Sequence, residues 1–213
     1  MDLYYLNISP PCWAVMMVGR ELGVSFNLKE ISPTTDDPLF KEIVKFNPQR
    51  QVPTLVDGNL AIGESRAMLR YLMAAYSGSE DHPLYPKDPK ARAVVESRLD
   101  FDLGMLYPRI YNYLSPLWKL KTEGTEANRV KMIEALDFLE EFLSRTRFAA
   151  GDRLTIADIS MVTALTLAYV CKFDLSKYPK IDAWYSACKK EIKAYEEVIG
   201  SQFEGLRAFV FGK

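Results

Sequence analysis

The stretch "QVPTLVDGNLAI" (residues 51–62) decides the fold. Two apolar runs flank Asp57-Gly58, a pair preferred in tight hairpin turns because glycine reaches positive φ without a steric cost. Pro53 stands just before the first run, and the β-branched Val52 ahead of it is biased towards extended backbone. Two readings of the Val52–Pro53 bond stay open. A trans proline would open an edge strand. A cis bond would turn the amide and carbonyl of Val52 outward, ready to pair with an extended peptide. The spacing favours trans, the commoner isomer.

Working outward from the hairpin gives an alternating pattern. Upstream lie a compact apolar strand, "LYYL" (3–6), and "PPCWAVMMVGREL" (10–22), which has Pro at its start, Gly23 beyond its end and no charge before Arg20. That is the Pro-start, Gly-stop signature of a buried helix. "FNLKEI" (26–31) alternates like a strand, and "LFKEIVKF" (39–46) has amphipathic helical spacing that stops before Asn47-Pro48. Downstream, "ESRAMLRYLMAAY" (64–76) is a helix with a polar start. Strand–helix–strand–helix–strand–strand–helix makes a small α/β domain over residues 1–77.

"SGSEDHPLYPKDP" (77–89) has linker composition, which places a linker at 78–88 and an all-helical domain at 89–213. Residues 90–114 read as one long helix, or two that meet near Pro108. "EANRVKMIEALDFLEEFLS" (126–144) is amphipathic through Val130, Ile133, Leu136, Leu139 and Leu143. "LTIADISMVTALTLAYVCKF" (154–173) opens with a Thr155/Asp158 capping box and is apolar nearly all round, so it is the central helix of a bundle. Pro179 starts a further helix, and a last one near 194–206 precedes the aromatic tail "FVFGK".

Composition narrows the chemistry. The 213 residues carry 27 Lys and Arg against 28 Asp and Glu. No global field therefore favours nucleic acid or an anionic membrane. The longest apolar stretch is too short to span a bilayer, and Asp2 interrupts what would otherwise be a signal-like opening. Three cysteines without zinc spacing fit a reduced, cytoplasmic, metal-free protein. The one histidine, His82, lies in the polar linker and reads as solvated, which leaves no Ser-His-Asp triad.

"GESRA" (63–67) sets Glu64, Ser65 and Arg66 at a helix N-terminus, where unpaired amides and the helix dipole favour a carboxylate. Alternatively Glu64 or Ser65 simply caps the helix. "NISPPCW" (7–13) offers a hydroxyl at Ser9 and a thiol at Cys12. Cys12 falls on an apolar helical run, where cysteine is commonly an inert hydrophobe.

Together these pieces resemble the cytosolic glutathione transferases, in particular the insect delta/epsilon branch, with an unclassified insect class as the alternative. The matching stretches are "DLYYL…SPPC" (2–12), "NPQRQVPTLVDG" (47–58), "ESRAMLRYL" (64–72), "PLYPKDPKARAVV" (83–95), "RLDFDLGMLY" (98–107) and "AAGDRLTIADIS" (149–160). They occur in the family's order and spacing across essentially the whole chain. The resemblance implies a thioredoxin-like N-terminal domain followed by an all-helical C-terminal domain, a symmetric homodimer, and glutathione as cosubstrate in xenobiotic detoxification. It implies a cis Val52–Pro53 bond, with Val52 pairing to the cysteinyl backbone of glutathione. It also implies a glutathione site of Arg50, Gln51, Val52, Pro53, Glu64, Ser65 and Arg66, the last three at the γ-glutamyl end.

The family stabilises glutathione's own thiolate. A free thiol has a pKa of about 8.5, and a hydrogen bond to a charged group contributes roughly 1.5–3 kcal/mol. That corresponds to a fall of roughly one to two pKa units. One hydroxyl therefore suffices. Ser9 stands where the insect branch has its serine. Tyr5 is the rival, because other classes use a tyrosine at the end of that strand. Cys12 is the third candidate and would make the protein a thiol–disulfide exchanger.

Several positions depart from the family pattern, among them Asn7-Ile8, which stand before Ser9 in place of the usual Pro-Gly. Pro38 and Arg50 stand where histidines handle the glycine carboxylate, and Gly63 replaces a bulky aromatic, which loosens the wall beside Glu64. The departures at Pro38, Arg50 and Gly63 keep a ligandin-like, non-catalytic carrier as an alternative. The hydrophobic acceptor is expected on Pro11, Tyr107, Tyr111, Leu117, Trp118, Phe203, Phe209 and Phe211, an aromatic set suited to apolar electrophiles. Asp102 and Tyr71 are assigned to the subunit interface.

Overall fold

The computed structural model describes residues 1–32 and 37–212. The chain divides into two compact units, Met1–Ser79 and Glu80–Lys213. Lys213, the end of the aromatic tail, lies outside the described residues.

The first unit contains β1 (Asp2–Tyr5), α1 (Pro10–Glu21), β2 (Asn27–Glu30), α2 (Pro38–Ile43), β3 (Thr54–Asp57), β4 (Leu60–Ile62) and α3 (Ser65–Tyr76). The strands form one mixed sheet in the order β2-β1-β3-β4. β1 and β2 run parallel, with Leu3 opposite Leu28. β3 runs antiparallel to both neighbours, with Tyr4 opposite Thr54 and Leu55 opposite Ile62. The hairpin turn is one residue later than the Asp57-Gly58 reading. Asp57 still pairs with Leu60, and Gly58 takes φ 59° as the first turn residue. Asp57 is held in the strand by its ladder partner and receives the hydroxyls of Tyr71 and Tyr76.

The pleat sends alternate residues to opposite faces. On one face Tyr4, Ile31 and Ile43 form a buried cluster with Val52 and Val56 against it. One residue out of phase, Leu3 and Leu55 are buried on the other. α1 and α3 pack on each other, burying Trp13, Val15, Leu69 and Leu72.

The second unit is helical: α4 (Pro89–Phe101), α5 (Tyr107–Leu114), α6 (Pro116–Lys119), α7 (Glu126–Arg145), α8 (Ile156–Val170), α9 (Pro179–Glu191), α10 (Tyr195–Val198) and α11 (Phe203–Phe211). In α8 every residue except Tyr169 is buried, and α4, α5, α9 and α11 pack around it. Its hydroxyls are satisfied at short range: Thr163 donates to the Ser160 carbonyl and Thr166 to that of Val162. Asp158 ties the start of α8 to its surroundings. One carboxylate oxygen accepts from the Thr155 amide and hydroxyl, the other from the Ala149 amide and Trp184 Nε1, each at 2.8–2.9 Å.

Five expectations change here. The long helix over 90–114 contains a π-helical turn, Asp102–Leu106, just ahead of Pro108. Asp102 is fully buried and accepts from Ser160 Oγ at 2.5 Å, so it braces α8 from within the unit and is not an interface residue. Val130 is 57% exposed, and the core stripe of α7 is Met132, Ala135, Leu136, Leu139 and Leu143. The last helix covers Phe203–Phe211, so most of the aromatic tail is helical. His82 does more than face solvent: its Nδ1 accepts from the Leu84 amide at 3.2 Å and shapes the turn.

Candidate active site

The sheet register alone gathers most of the expected residues of the first unit. β1 ends beside the start of β3, because Tyr4 lies opposite Thr54. β4 ends beside the same start, because Ile62 lies opposite Leu55. The segments that leave or enter the sheet there are Leu6–Ser9, Val52–Pro53 and Gly63–Arg66. Two helices, α1 and α3, begin at this end. Their positive dipole ends suit an anionic ligand. The Val52–Pro53 bond is cis, against the reading from spacing and in agreement with the family resemblance. Pro53 is buried and Val52 half-buried.

The three groups that could act on a thiol have separate environments. Ser9 is the N-cap residue of α1 by position, yet its side chain makes no capping bond. Its hydroxyl meets the Cys12 thiol. Cys12 itself is fully buried, and desolvation pushes its thiol up to about 11, only partly offset by the bonds from Ser9 and the Leu6 backbone. Such a thiol stays protonated near neutral pH and does not act as a nucleophile. Tyr5 OH donates to Glu30 Oε2 at 3.2 Å. Burial, then the Glu30 carboxylate, raises its pKa, which makes it a poorer donor to a second anion.

At the start of α3, Glu64 takes φ 61° and ψ 100° and makes no side-chain capping bond. The capping alternative for this residue is therefore not realised. Ser65 and Arg66 are each 4% exposed, and Arg66 Nη1 donates to Ser65 Oγ at 2.9 Å. Arg66 thus acts through Ser65, fixing its hydroxyl and placing a positive charge behind it. The loop that leads into β3 is organised by a residue that the motif analysis passed over. Asn47, 4% exposed, donates from Nδ2 to the Gln51 carbonyl at 3.2 Å and to Thr54 Oγ1 at 2.6 Å. Its Oδ1 accepts from the Gln49 amide at 3.0 Å. A polar residue just after an amphipathic helix was the signal available, but it reads equally as a helix stop. Arg50 has φ 54°, is exposed, and no described residue pairs with its guanidinium.

In the second unit the expected aromatic residues form a ladder. Tyr107 and Tyr111 have ring centroids 5.7 Å apart, and Trp118 lies 5.9 Å from Tyr111, edge-on. The first pair follows from i,i+4 spacing. The second is an i,i+7 pair two turns on, because Ser115 keeps αR geometry between α5 and α6. Lys119 Nζ lies 4.6 Å from the Tyr111 ring centre. Leu117 is half-buried on α6, against which α11 packs. Phe203 is half-buried under the Arg207 guanidinium, whereas Phe209 and Phe211 are 49% and 42% exposed. Pro11 sits half-buried in the first turn of α1, in the other unit.

Comparison with known proteins agrees with these observations. Residues 3–80 match the model of the glutathione S-transferase N-terminal domain, and residues 98–191 that of the C-terminal domain. The chain belongs to the glutathione S-transferase family. It is 38% identical to glutathione S-transferase D7 of Anopheles gambiae over 198 residues, which cover 92% of this chain and 90% of the relative. A delta-class glutathione transferase of Nilaparvata lugens superposes with a TM-score of 0.92 at 36% identity, covering 99% of this chain and 98% of the other. An epsilon-class glutathione S-transferase of Musca domestica gives 0.87 at 35% identity, covering 99% and 97%.

The departures from the usual transferase pattern now have physical descriptions. Pro38 is the first residue of α2, and Asp37 caps that helix by accepting from the Leu39 and Phe40 amides. Its ring has a helix-starting role, and Arg50 supplies an exposed cation on the loop before β3. Gly63 does not simply open the wall: a Cβ there would lie 2.4 Å from Gln49 Oε1, so the Gln49 side chain occupies the space. Among the described residues no group of three or more His, Cys, Asp or Glu side chains could hold a metal ion. No helix among them is long and apolar enough to cross a membrane.

Proposed function

We propose that the protein adds the thiolate of reduced glutathione to hydrophobic electrophiles, with the Ser9 hydroxyl as the donor that stabilises the thiolate. The observation that carries this reading is the state of Ser9. Its hydroxyl makes no capping bond to the helix and meets the neutral Cys12 thiol, whereas Tyr5 is engaged by a carboxylate. A thiolate is a far better acceptor than a neutral thiol, so the hydroxyl can turn to it at little cost. The thiol proton leaves to solvent. With an aryl chloride, the thiolate sulfur then attacks the ring carbon that bears the halogen, the C–S bond forms, the C–Cl bond breaks and chloride departs. Holding both reactants together contributes the remaining acceleration.

In this reading Glu64 accepts from the α-ammonium group of glutathione, and Ser65 binds the neighbouring carboxylate, with Arg66 behind it. Val52 pairs with the cysteinyl backbone beside Pro53, Gln51 adjoins it, and Arg50 takes the glycine carboxylate, for which guanidinium geometry is well suited. The Tyr107–Tyr111–Trp118 ladder, Leu117 and Phe203 supply an apolar wall for the acceptor, with Phe209 and Phe211 at its margin. The working form is a cytoplasmic homodimer engaged in detoxification.

The test is a conjugation assay with a dinitro-substituted aryl chloride, run beside a glutathione-dependent disulfide-reduction assay. Conjugation well above the uncatalysed rate, with little disulfide reduction, is the expected result. Disulfide reduction without conjugation would reverse the reading in favour of Cys12. Tight binding of the acceptor with no turnover would make the protein a carrier.

A further inference from the structure

We infer that Gln49 is a positioning residue for glutathione, working through Glu64 and made possible by the missing side chain at Gly63. The inference rests on the reading that Glu64 holds the α-ammonium end of the tripeptide. Its evidence is a four-residue arrangement. Gln49 Nε2 donates to Glu64 Oε1 at 2.8 Å. The other end of the same amide, Oε1, lies where a side chain at position 63 would begin, 2.4 Å from an ideal Cβ. The Gln49 backbone is fixed in turn by its amide bond to the buried Asn47. The side chain fills the space where a Cβ at 63 would stand, so a larger residue there would displace the Gln49 amide from this position.

Glu64 is a residue for which such support matters. It sits at φ 61°, a region that side chains other than glycine seldom adopt, and it is exposed. An exposed carboxylate on a strained backbone has several rotamers open to it. The amide of Gln49 selects one by occupying Oε1, which leaves Oε2 to meet a substrate cation. The chemistry fixes the amide's orientation: an ionised carboxylate only accepts, so the NH2 end of Gln49 must face it. The wall that an aromatic residue would form by bulk is formed here by a hydrogen-bonded amide, one that contacts the ligand-binding carboxylate directly.

A thermodynamic cycle tests this, read by calorimetric titration with glutathione and by steady-state kinetics. Gln49→Ala and the volume-matched Gln49→Met should each weaken glutathione binding roughly three- to tenfold, the range for losing one hydrogen bond. KM for glutathione should rise in parallel, while kcat and KM for the aryl chloride stay within about twofold. Gly63→Ala should produce the same loss by expelling the amide. In the Gln49→Ala background Gly63→Ala should add less than about twofold, because nothing remains to expel. Gln49→Glu should bind at least as weakly as Gln49→Ala, through repulsion with Glu64. Fully additive losses for Gly63→Ala and Gln49→Ala would overturn the inference. So would unchanged binding by Gln49→Ala and Gln49→Met while Glu64→Ala binds poorly, a result that leaves the site assignment standing. Unchanged binding by Glu64→Ala would remove both.

Discussion

At Ser9, under the proposed mechanism, the deletion of one oxygen should separate catalysis from folding. The side chain makes no capping bond, so Ser9→Ala removes nothing that α1 depends on. Conjugation should fall at least about tenfold, the lower end for a hydrogen bond to a charged group. The pKa of bound glutathione should rise, because the lost donor favoured the ionised form, and the pH–rate profile should move to higher pH with it. The thermal midpoint should stay put. Tyr5→Phe should leave the rate within about twofold, since its hydroxyl is directed at Glu30; a tenfold loss there with an active Ser9→Ala enzyme would reverse the assignment. The placement of these groups was legible from residue types, a hydroxyl after the first strand and an acid–serine–arginine run at a helix start, while the roles proposed for them come from the family resemblance. Gln49 was not legible. Its role depends on an absent Cβ at Gly63, and a missing atom on another loop leaves no pattern in local spacing.

Among the elements, α8 depends most on a single contact set. Asp158 accepts four hydrogen bonds with its two oxygens, all of them buried. Burial pushes its carboxyl up in pKa, and the donors from Ala149, Trp184 and Thr155 oppose that shift. Asp158→Asn keeps the shape but turns one acceptor into a donor, so two donors lose their partner. At about 1–3 kcal/mol for each, the helical unit should lose roughly 2–6 kcal/mol, measured by chemical denaturation. A loss below about 1 kcal/mol would show that the amide is accommodated. The capping pair was readable because both partners lie within one turn. The stripe of α7 was not, because at about 100° per residue Val130 sits about 120° from Leu136 while Met132 sits within about 40°. A chain of three-residue steps drifts off the face. The π-helical turn at Asp102–Leu106 was also hidden, since one added backbone residue leaves composition unchanged. The hairpin reading was correct in kind and early by one residue, because ladder pairing, not turn preference, fixes where a strand ends.

For the molecule as a whole, the two-unit plan follows from a change of hydrophobic pattern, strand alternation interleaved with helical spacing before the linker and helical spacing alone after it. That change was visible without coordinates. The distribution of thiols was not. All three cysteines are buried, at 0%, 8% and 0% exposure for Cys12, Cys171 and Cys188. Desolvation pushes Cys12 to about 11, Cys171 to about 12 and Cys188 well above its ordinary value. At pH 8 iodoacetamide should leave all three unmodified in the native protein on a timescale that labels all three in denaturant, as counted by intact mass. Rapid native labelling of Cys12 would contradict the burial described here. The consequence concerns survival in service. A catalyst that concentrates alkylating agents on its own surface is exposed to suicide by its substrates. With all three cysteine thiols buried and protonated, the thiol that those agents meet is the one that arrives with glutathione and leaves with the product.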